Sequence, residues 1–171
     1  MDKELEDLSV RVGQALLERK SMLACAESCT GGWVAEVVTA TGGSSQWFER
    51  GFVTYSNAAK QELLGVKADT LREHGAVSEA VVAEMATGAL ARSHAQAALA
   101  ISGVAGPTGG SPDKPVGTVC FAWVLRGGVP VAETKLFSGD REAVRKQSVI
   151  HALHGLLGRL SEASADISST D

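Results

Sequence analysis

Apolar residues recur at helical spacing in three long segments of the chain. Residues 5–16, 79–89 and 149–160 place them every three or four positions, which predicts amphipathic helices. Ser78 and Asp140 stand before the second and third of these helices, and such side chains are typical N-caps. The chain is therefore expected to contain long helices that each bury one face.

Short apolar segments lie between the helical ones and are the length of strands. The first three alternate with helices, and the last two are joined by Arg126, Gly127 and Gly128, which favour a hairpin. This order predicts an α/β fold, a single three-layer α/β/α sandwich around a mixed, mainly parallel sheet. We assign the domain to residues 1–160 and expect residues 161–171 to be a flexible tail. The strand segments are residues 22–26, 48–55, 97–101, 118–125 and 131–137.

Composition narrows the class of protein. A hydrophobic content of 44% and a charged content of 21% are typical of one globular domain. The three cysteines are odd in number and lack Cys-x-x-Cys spacing, so we expect no disulfide framework, no metal site and a reducing, cytoplasmic location. No signal peptide or membrane-spanning run is evident, and a net charge of -4 with scattered basic residues gives no reason to expect nucleic-acid binding.

Polar or glycine-rich residues follow three of the predicted strands. These segments are residues 27–32, 55–60 and 102–110. In open α/β sheets, ligands bind beyond the carboxyl ends of the strands. The three segments are therefore expected to form one site.

The first of these segments contains a candidate nucleophile. Ser28 lies where a buried strand ends and a helix begins, and Gly31 and Gly32 leave the backbone open to a ligand. The N–H groups of Cys29, Thr30 and the two glycines could form an oxyanion hole, so all four are candidate substrate-binding residues. Alternatively, Ser28 only caps the helix. Cys29 is a rival nucleophile, because a helix N-terminus lowers a thiol pKa, or else a small residue that packs the turn.

A serine nucleophile needs a base, and the best-placed candidate is a lysine. The four histidines fall in predicted helices or at their ends, and Gly31 stands where a Ser-x-x-Lys motif would require lysine. Lys60 comes one helical turn after a strand end that carries Tyr55, and Asn57 is expected to cap its helix. The Tyr55 to Lys60 spacing and the absence of Gly-x-Gly-x-x-Gly argue against a short-chain dehydrogenase.

The third segment is a loop with four glycines after a buried strand. It lacks Gly-Lys-Ser/Thr and is therefore not a Walker phosphate loop. Gly103 and Gly106 are candidates for backbone contact with a ligand, although the loop could be a plain connection. Arg145, one turn into a capped helix, is the cation that we expect near a phosphate, although it could be an ordinary surface charge.

Five segments, in order, resemble the CinA C-terminal family, and the resemblance runs from about residue 5 to residue 160. Five motifs at family-like separations are far more specific than one glycine cluster. They are residues 26–32 (AESCTGG), 51–57 (GFVTYSN) with Lys60, 75–78 (GAVS), 102–107 (SGVAGP) and 114–119 (KPVGTV).

The resemblance implies a reaction and roles for several residues. It implies hydrolysis of the carboxamide of nicotinamide mononucleotide to nicotinate mononucleotide and ammonia, a step in pyridine-nucleotide salvage. Ser28 would be the nucleophile and Lys60 its base, with Tyr55 assisting. We also expect Asn57 to bind the substrate. The resemblance also implies a homodimer and a reaction without a metal or cofactor. Two alternatives stay open: a nucleotide-binding module without turnover, linked to competence or DNA damage, and an amidase for a small non-nucleotide amide.

Overall fold

The computed structural model describes residues 1–169 of the chain, and the side chains of residues 1–164. This part contains six α-helices, five strands and one short 3₁₀ turn at Ser44–Gln46. The helices are α1 (Lys3–Glu18), α2 (Trp33–Thr39), α3 (Asn57–Leu64), α4 (Ala68–His74), α5 (Glu79–Ala91) and α6 (Arg141–Ser169). The strands are β1 (Leu23–Glu27), β2 (Phe48–Val53), β3 (Ala97–Gly103), β4 (Thr118–Leu125) and β5 (Val131–Leu136).

The strands form one mixed sheet in the order β2-β1-β3-β4-β5. Strand β1 is parallel to both β2 and β3, whereas β4 is antiparallel to both β3 and β5. All strands except β4 therefore run in the same direction. The predicted α/β fold with a mixed sheet is confirmed, and β1 lies between β2 and β3, so the carboxyl ends of these three parallel strands lie side by side.

Side chains of different size cover the two faces of the sheet. Helices α1, α2 and α6 pack on one face against large residues such as Leu99, Phe121 and Trp123. Helix α5 packs on the other face, where the strands present mostly alanine, such as Ala98 and Ala100. Because alanine side chains are short, α5 lies close to the sheet. Helices therefore cover both faces of the sheet, which gives the predicted three-layer α/β/α arrangement.

Two helices, α3 and α4, differ from the sequence prediction. Asn57 is not the cap of α3, because it already lies inside the helix; Ser56 has extended backbone and its Oγ accepts the Ala59 N–H at 3.0 Å. Helix α4 was not predicted, because only Leu71 of its seven residues is buried. Helix α5 stabilises the start of α4, because the N–H of the capping residue Lys67 donates to Glu84 Oε1 of α5 at 2.9 Å.

The last helix is longer than predicted. Asp140 caps it as expected, accepting the Ala143 N–H at 2.9 Å. Helix α6 then continues to Ser169, beyond residue 160 where we placed the end of the domain. The flexibility expected for residues 161–171 stays a prediction, and residues 170 and 171 lie outside the described residues. Among residues 1–169, no helix combines the length and apolar character needed to cross a membrane.

Candidate active site

Ser28 lies directly after β1, in a turn that leads into α2. Its N–H donates to the Ile101 carbonyl of β3 at 3.0 Å, and its carbonyl accepts the Gly31 N–H at 2.9 Å. Gly31 and Gly32 have φ angles of +59° and +100°, in the left-handed region that favours glycine. The two glycines therefore allow the chain to turn from a buried strand into a helix within a few residues.

A buried carboxylate beneath this turn holds it in place. Glu27 is 1% exposed, and its carboxylate accepts hydrogen bonds from Thr30 Oγ1 at 2.7 Å, the Val34 N–H at 2.8 Å and the Ala35 N–H at 3.1 Å. The last two donors belong to the first turn of α2, where the helix dipole stabilises negative charge. Sequence reasoning gave Glu27 no role, although a carboxylate at the end of an otherwise apolar strand was a usable signal.

Lys60 reaches the serine from the neighbouring segment. Its Nζ lies 3.0 Å from Ser28 Oγ and 2.9 Å from the Thr54 carbonyl, and the residue is 2% exposed. Burial lowers the pKa of the Lys60 amine, because removal from water disfavours the charged form. A neutral lysine at hydrogen-bond distance from a serine hydroxyl can accept its proton.

Tyr55 lies near this pair, at the rim of the cleft, and is 61% exposed. Its hydroxyl accepts a hydrogen bond from Arg141 Nη2 at 2.8 Å, and Arg141 Nη1 donates to the Gly106 carbonyl at 2.7 Å. Arg141 therefore connects the segment after β2 with the glycine-rich loop after β3. Sequence reasoning gave Arg141 no role in the site.

A cleft of about 300 Å³ opens above the serine. The glycine-rich loop forms one wall, and Gly103 and Gly106 both line it, as expected. A Cβ at Gly103 would lie 2.8 Å from Val119 Cγ2, and one at Gly106 would lie 2.4 Å from Val116 Cγ1. These glycines are thus required by close packing of the loop as well as by access to the cleft. The lining residues are Ser28, Cys29, Tyr55, Val77, Gly103, Val104, Ala105, Gly106, Thr108, Gly109 and Arg141.

Cys29 lines the cleft but is a poor nucleophile. It is 5% exposed, and burial raises the pKa of its thiol to about 12. The expectation that the helix N-terminus would lower this pKa is wrong, because desolvation outweighs the nearby positive charge. The rival assignment of the nucleophile therefore loses its physical basis.

Arg145 does not lie in the cleft. Its Nε donates to the Cys29 carbonyl at 3.0 Å and its Nη2 to the Thr30 carbonyl at 3.1 Å. Its guanidinium also lies over the Trp33 ring, 5.3 Å from the centroid. Arg145 therefore contacts the turn that carries Ser28, and it lines an adjacent cavity with Trp33, Arg141 and Glu142. The phosphate contact expected for it stays a prediction. Arg141, four residues earlier, lines the cleft instead.

Four other predicted substrate-binding residues are not among those that line the cleft. Thr30 is fully buried with its hydroxyl on Glu27, and Asn57 is exposed in the first turn of α3. Gly31 and Gly32 shape the turn into α2. The structure therefore brings together Ser28, Lys60, Tyr55, Cys29 and the loop glycines. The other predicted site residues do not line the cleft; they are Thr30, Gly31, Gly32, Asn57 and Arg145.

The fold and the site define the class of protein: an α/β enzyme with a serine and a buried lysine in contact at the carboxyl edge of a mixed sheet. The chain belongs to the family of the CinA C-terminal domain, whose model matches residues 5–160. The predicted family is confirmed.

Named relatives and solved structures support the same assignment. The nicotinamide-nucleotide amidohydrolase PncC of Escherichia coli K12 is 57% identical over 155 residues, which cover 91% of this chain and 94% of the relative. A CinA superfamily protein from Klebsiella pneumoniae has a TM-score of 0.89 at 44% identity and covers 92% of this chain and 98% of its own. The competence/damage inducible protein CihA of Agrobacterium tumefaciens has a TM-score of 0.88 at 42% identity, with 92% and 96% covered. At this similarity the protein is a hydrolase, as predicted.

Proposed function

We propose that the protein hydrolyses the carboxamide of nicotinamide mononucleotide, giving nicotinate mononucleotide and ammonia, with Ser28 as nucleophile and Lys60 as base. The observation that carries the mechanism is the 3.0 Å contact between Lys60 Nζ and Ser28 Oγ in a buried setting. The substrate comes from the name of the Escherichia coli relative at 57% identity.

The proposed reaction has two stages that both use the same pair. Neutral Lys60 accepts the Ser28 hydroxyl proton as Oγ bonds to the amide carbon, and the carbonyl oxygen becomes an oxyanion. The oxyanion collapses, the C–N bond breaks, and Lys60 returns its proton so that ammonia leaves. Lys60 then removes a proton from water, which attacks the acyl-Ser28 ester, and the proton passes back to Ser28 Oγ. The acid is released and the enzyme is regenerated.

Substrate binding is assigned to the cleft rather than to Arg145. The carboxamide lies at Ser28, and the ribose and phosphate extend along the glycine-rich loop toward Arg141. The Arg141 guanidinium is the cation that lines this cleft, and arginine matches phosphate well because it offers several donors in a fixed plane. The Tyr55 hydroxyl accepts a hydrogen bond from Arg141 and so holds that guanidinium at the rim of the cleft. A cytoplasmic location, a homodimer and a part in nucleotide salvage stay predictions.

Ammonia release by purified protein tests the proposed reaction. Ser28→Ala is expected to reduce release from nicotinamide mononucleotide to background, a loss of roughly 10⁴-fold or more, because the nucleophile is removed. Cys29→Ala is the matched control next to it in the chain and should keep most of the activity. Wild-type protein that binds the nucleotide without releasing ammonia would instead be a binding module. Equal rates on free nicotinamide would identify a general amidase.

The role of Arg141 is tested by steady-state kinetics. Arg141→Met should raise KM for nicotinamide mononucleotide by roughly 10- to 100-fold with a smaller change in kcat, because a charge-assisted hydrogen bond to phosphate contributes about 1.5–3 kcal/mol. Nicotinamide riboside, which lacks the phosphate, should lose much less affinity in the same variant. An equal loss for both substrates would count against phosphate binding by Arg141.

A further inference from the structure

The turn that carries Ser28 is held by two side chains. The buried Glu27 carboxylate accepts hydrogen bonds from the Thr30 hydroxyl and the first N–H groups of α2. Arg145 donates to the carbonyls of Cys29 and Thr30. The turn therefore has little freedom to rotate its peptide groups.

The Arg145 contacts determine the direction of two peptide planes. A peptide group is planar and trans, so its carbonyl and its N–H point in opposite directions. When Arg145 holds the Cys29 carbonyl, the Thr30 N–H must point away from Arg145. When it holds the Thr30 carbonyl, the Gly31 N–H points away as well, and this N–H donates to the Ser28 carbonyl at 2.9 Å.

We infer that Arg145 is a positioning residue for the reaction: by holding the Cys29 and Thr30 carbonyls, it fixes the two peptide planes after Ser28 and so keeps Ser28 Oγ 3.0 Å from Lys60 Nζ. This inference rests on the proposed function. Reacting groups held in the right geometry lower the barrier, so a small displacement of Ser28 would reduce the rate. The two hydrogen bonds of Arg145 go to backbone carbonyls and not to Ser28 Oγ.

The placement of Arg145 suits this role. Two of its donors are used on backbone carbonyls, and its guanidinium is half-buried against the Trp33 ring. A guanidinium can hold two neighbouring carbonyls at once in a fixed geometry, whereas a lysine ammonium is a single point charge on a flexible stem. The role therefore requires arginine and not merely a positive charge.

Kinetics of Arg145→Lys and Arg145→Ala test the inference. Both variants should lose roughly 10- to 100-fold in kcat for nicotinamide mononucleotide, since small misplacements of catalytic groups have effects of this size. KM should stay within about twofold, because the inferred role is confined to the transition state. Added guanidinium or methylguanidinium should restore part of the activity of Arg145→Ala and have no such effect on wild type.

Arg159 provides a matched control on the same helix. Its guanidinium lies over the Trp123 ring, 5.4 Å from the centroid, much as Arg145 lies over Trp33. Arg159→Lys and Arg159→Ala remove a similar stacking contact away from the cleft and should leave kcat unchanged. Thermal melting of all four variants shows whether a loss of activity follows a loss of folding.

Three results would overturn the inference. An increase confined to KM would make Arg145 a substrate ligand. A lower melting temperature with unchanged kcat would make its role structural only. Wild-type protein that releases no ammonia would overturn the proposed function and this inference with it. Active wild-type protein with Arg145 variants of unchanged kcat would overturn only this inference.

Discussion

Lys60 and Lys146 show how the surroundings of one residue type decide its chemistry. Lys60 is buried and its Nζ contacts only neutral oxygens in its hydrogen bonds, so burial lowers its pKa. Lys146 donates to the Asp2 carboxylate at 2.8 Å near the surface, and this bond raises its pKa. Of these two lysines, only Lys60 therefore has its pKa shifted in the direction that favours action as a base.

The pH dependence of the reaction follows from the direction of the Lys60 shift. A lowered pKa means that the amine loses its proton at a lower pH than an ordinary lysine. We therefore expect kcat/KM to rise with pH and to level off above a midpoint that lies below 10.5, the usual lysine value. Lys146→Gln should leave the midpoint unchanged. A rate that falls as pH rises through this range would contradict the assignment of Lys60 as base.

At the scale of elements, the sequence predicts the strands and the long helices but not every contact between them. The hydrophobic periodicity and the turn residues are local, so the segments after β1 and β2, which carry Ser28 and Lys60, could be placed without a structure. Arg141 and Arg145 could not be assigned in this way. They are four residues apart on one helix, and only the packing of α6 against two different loops decides that one faces the cleft and the other faces the Ser28 turn.

The position of Lys60 also depends on the close approach of α3 and α5. Gly88 of α5 contacts the end of α3 so closely that a Cβ there would lie 1.9 Å from the Leu64 carbonyl oxygen. The Leu64 carbonyl also accepts a hydrogen bond from Arg92 Nη1 at 3.1 Å. Helix α3 is therefore fixed against α5 at the end opposite its Ser56 cap, with Lys60 between these two anchors.

Two glycine-to-alanine substitutions of opposite effect test this packing. Gly88→Ala should destabilise the protein by about 1–3 kcal/mol or more, because the added methyl forces α3 away from α5. It should also lower kcat, since Lys60 moves with α3. Gly158→Ala on α6 has open space around the new Cβ and should stabilise by about 0.5–1 kcal/mol through helix propensity. Urea denaturation measures both, and a stabilising Gly88→Ala would contradict the close approach.

At the scale of the whole molecule, the two hydrophobic cores lie on opposite faces of one sheet and consist of different side chains. All three tryptophans, Trp33, Trp47 and Trp123, belong to the core of α1, α2 and α6. The core of α5 contains no tryptophan among its members. Tryptophan fluorescence therefore reports on one side of the sheet only, which makes the coupling between the two sides measurable.

We expect the two cores to unfold together, because a domain of this size usually shows one cooperative transition and both cores depend on the same strands. Met85 of α5 is fully buried in the core without tryptophan. Met85→Ala should lower stability by about 2–5 kcal/mol and shift the midpoint of the tryptophan signal by the same amount as that of the far-ultraviolet circular dichroism. Leu63→Ala, at a side chain 45% exposed, is the control and should change either midpoint little.

If the fluorescence midpoint stays unchanged in Met85→Ala while the dichroism midpoint falls, the layers unfold independently. The Ser28 to Lys60 contact would then break before the tryptophan core does, because Lys60 is carried by a helix on the α5 side.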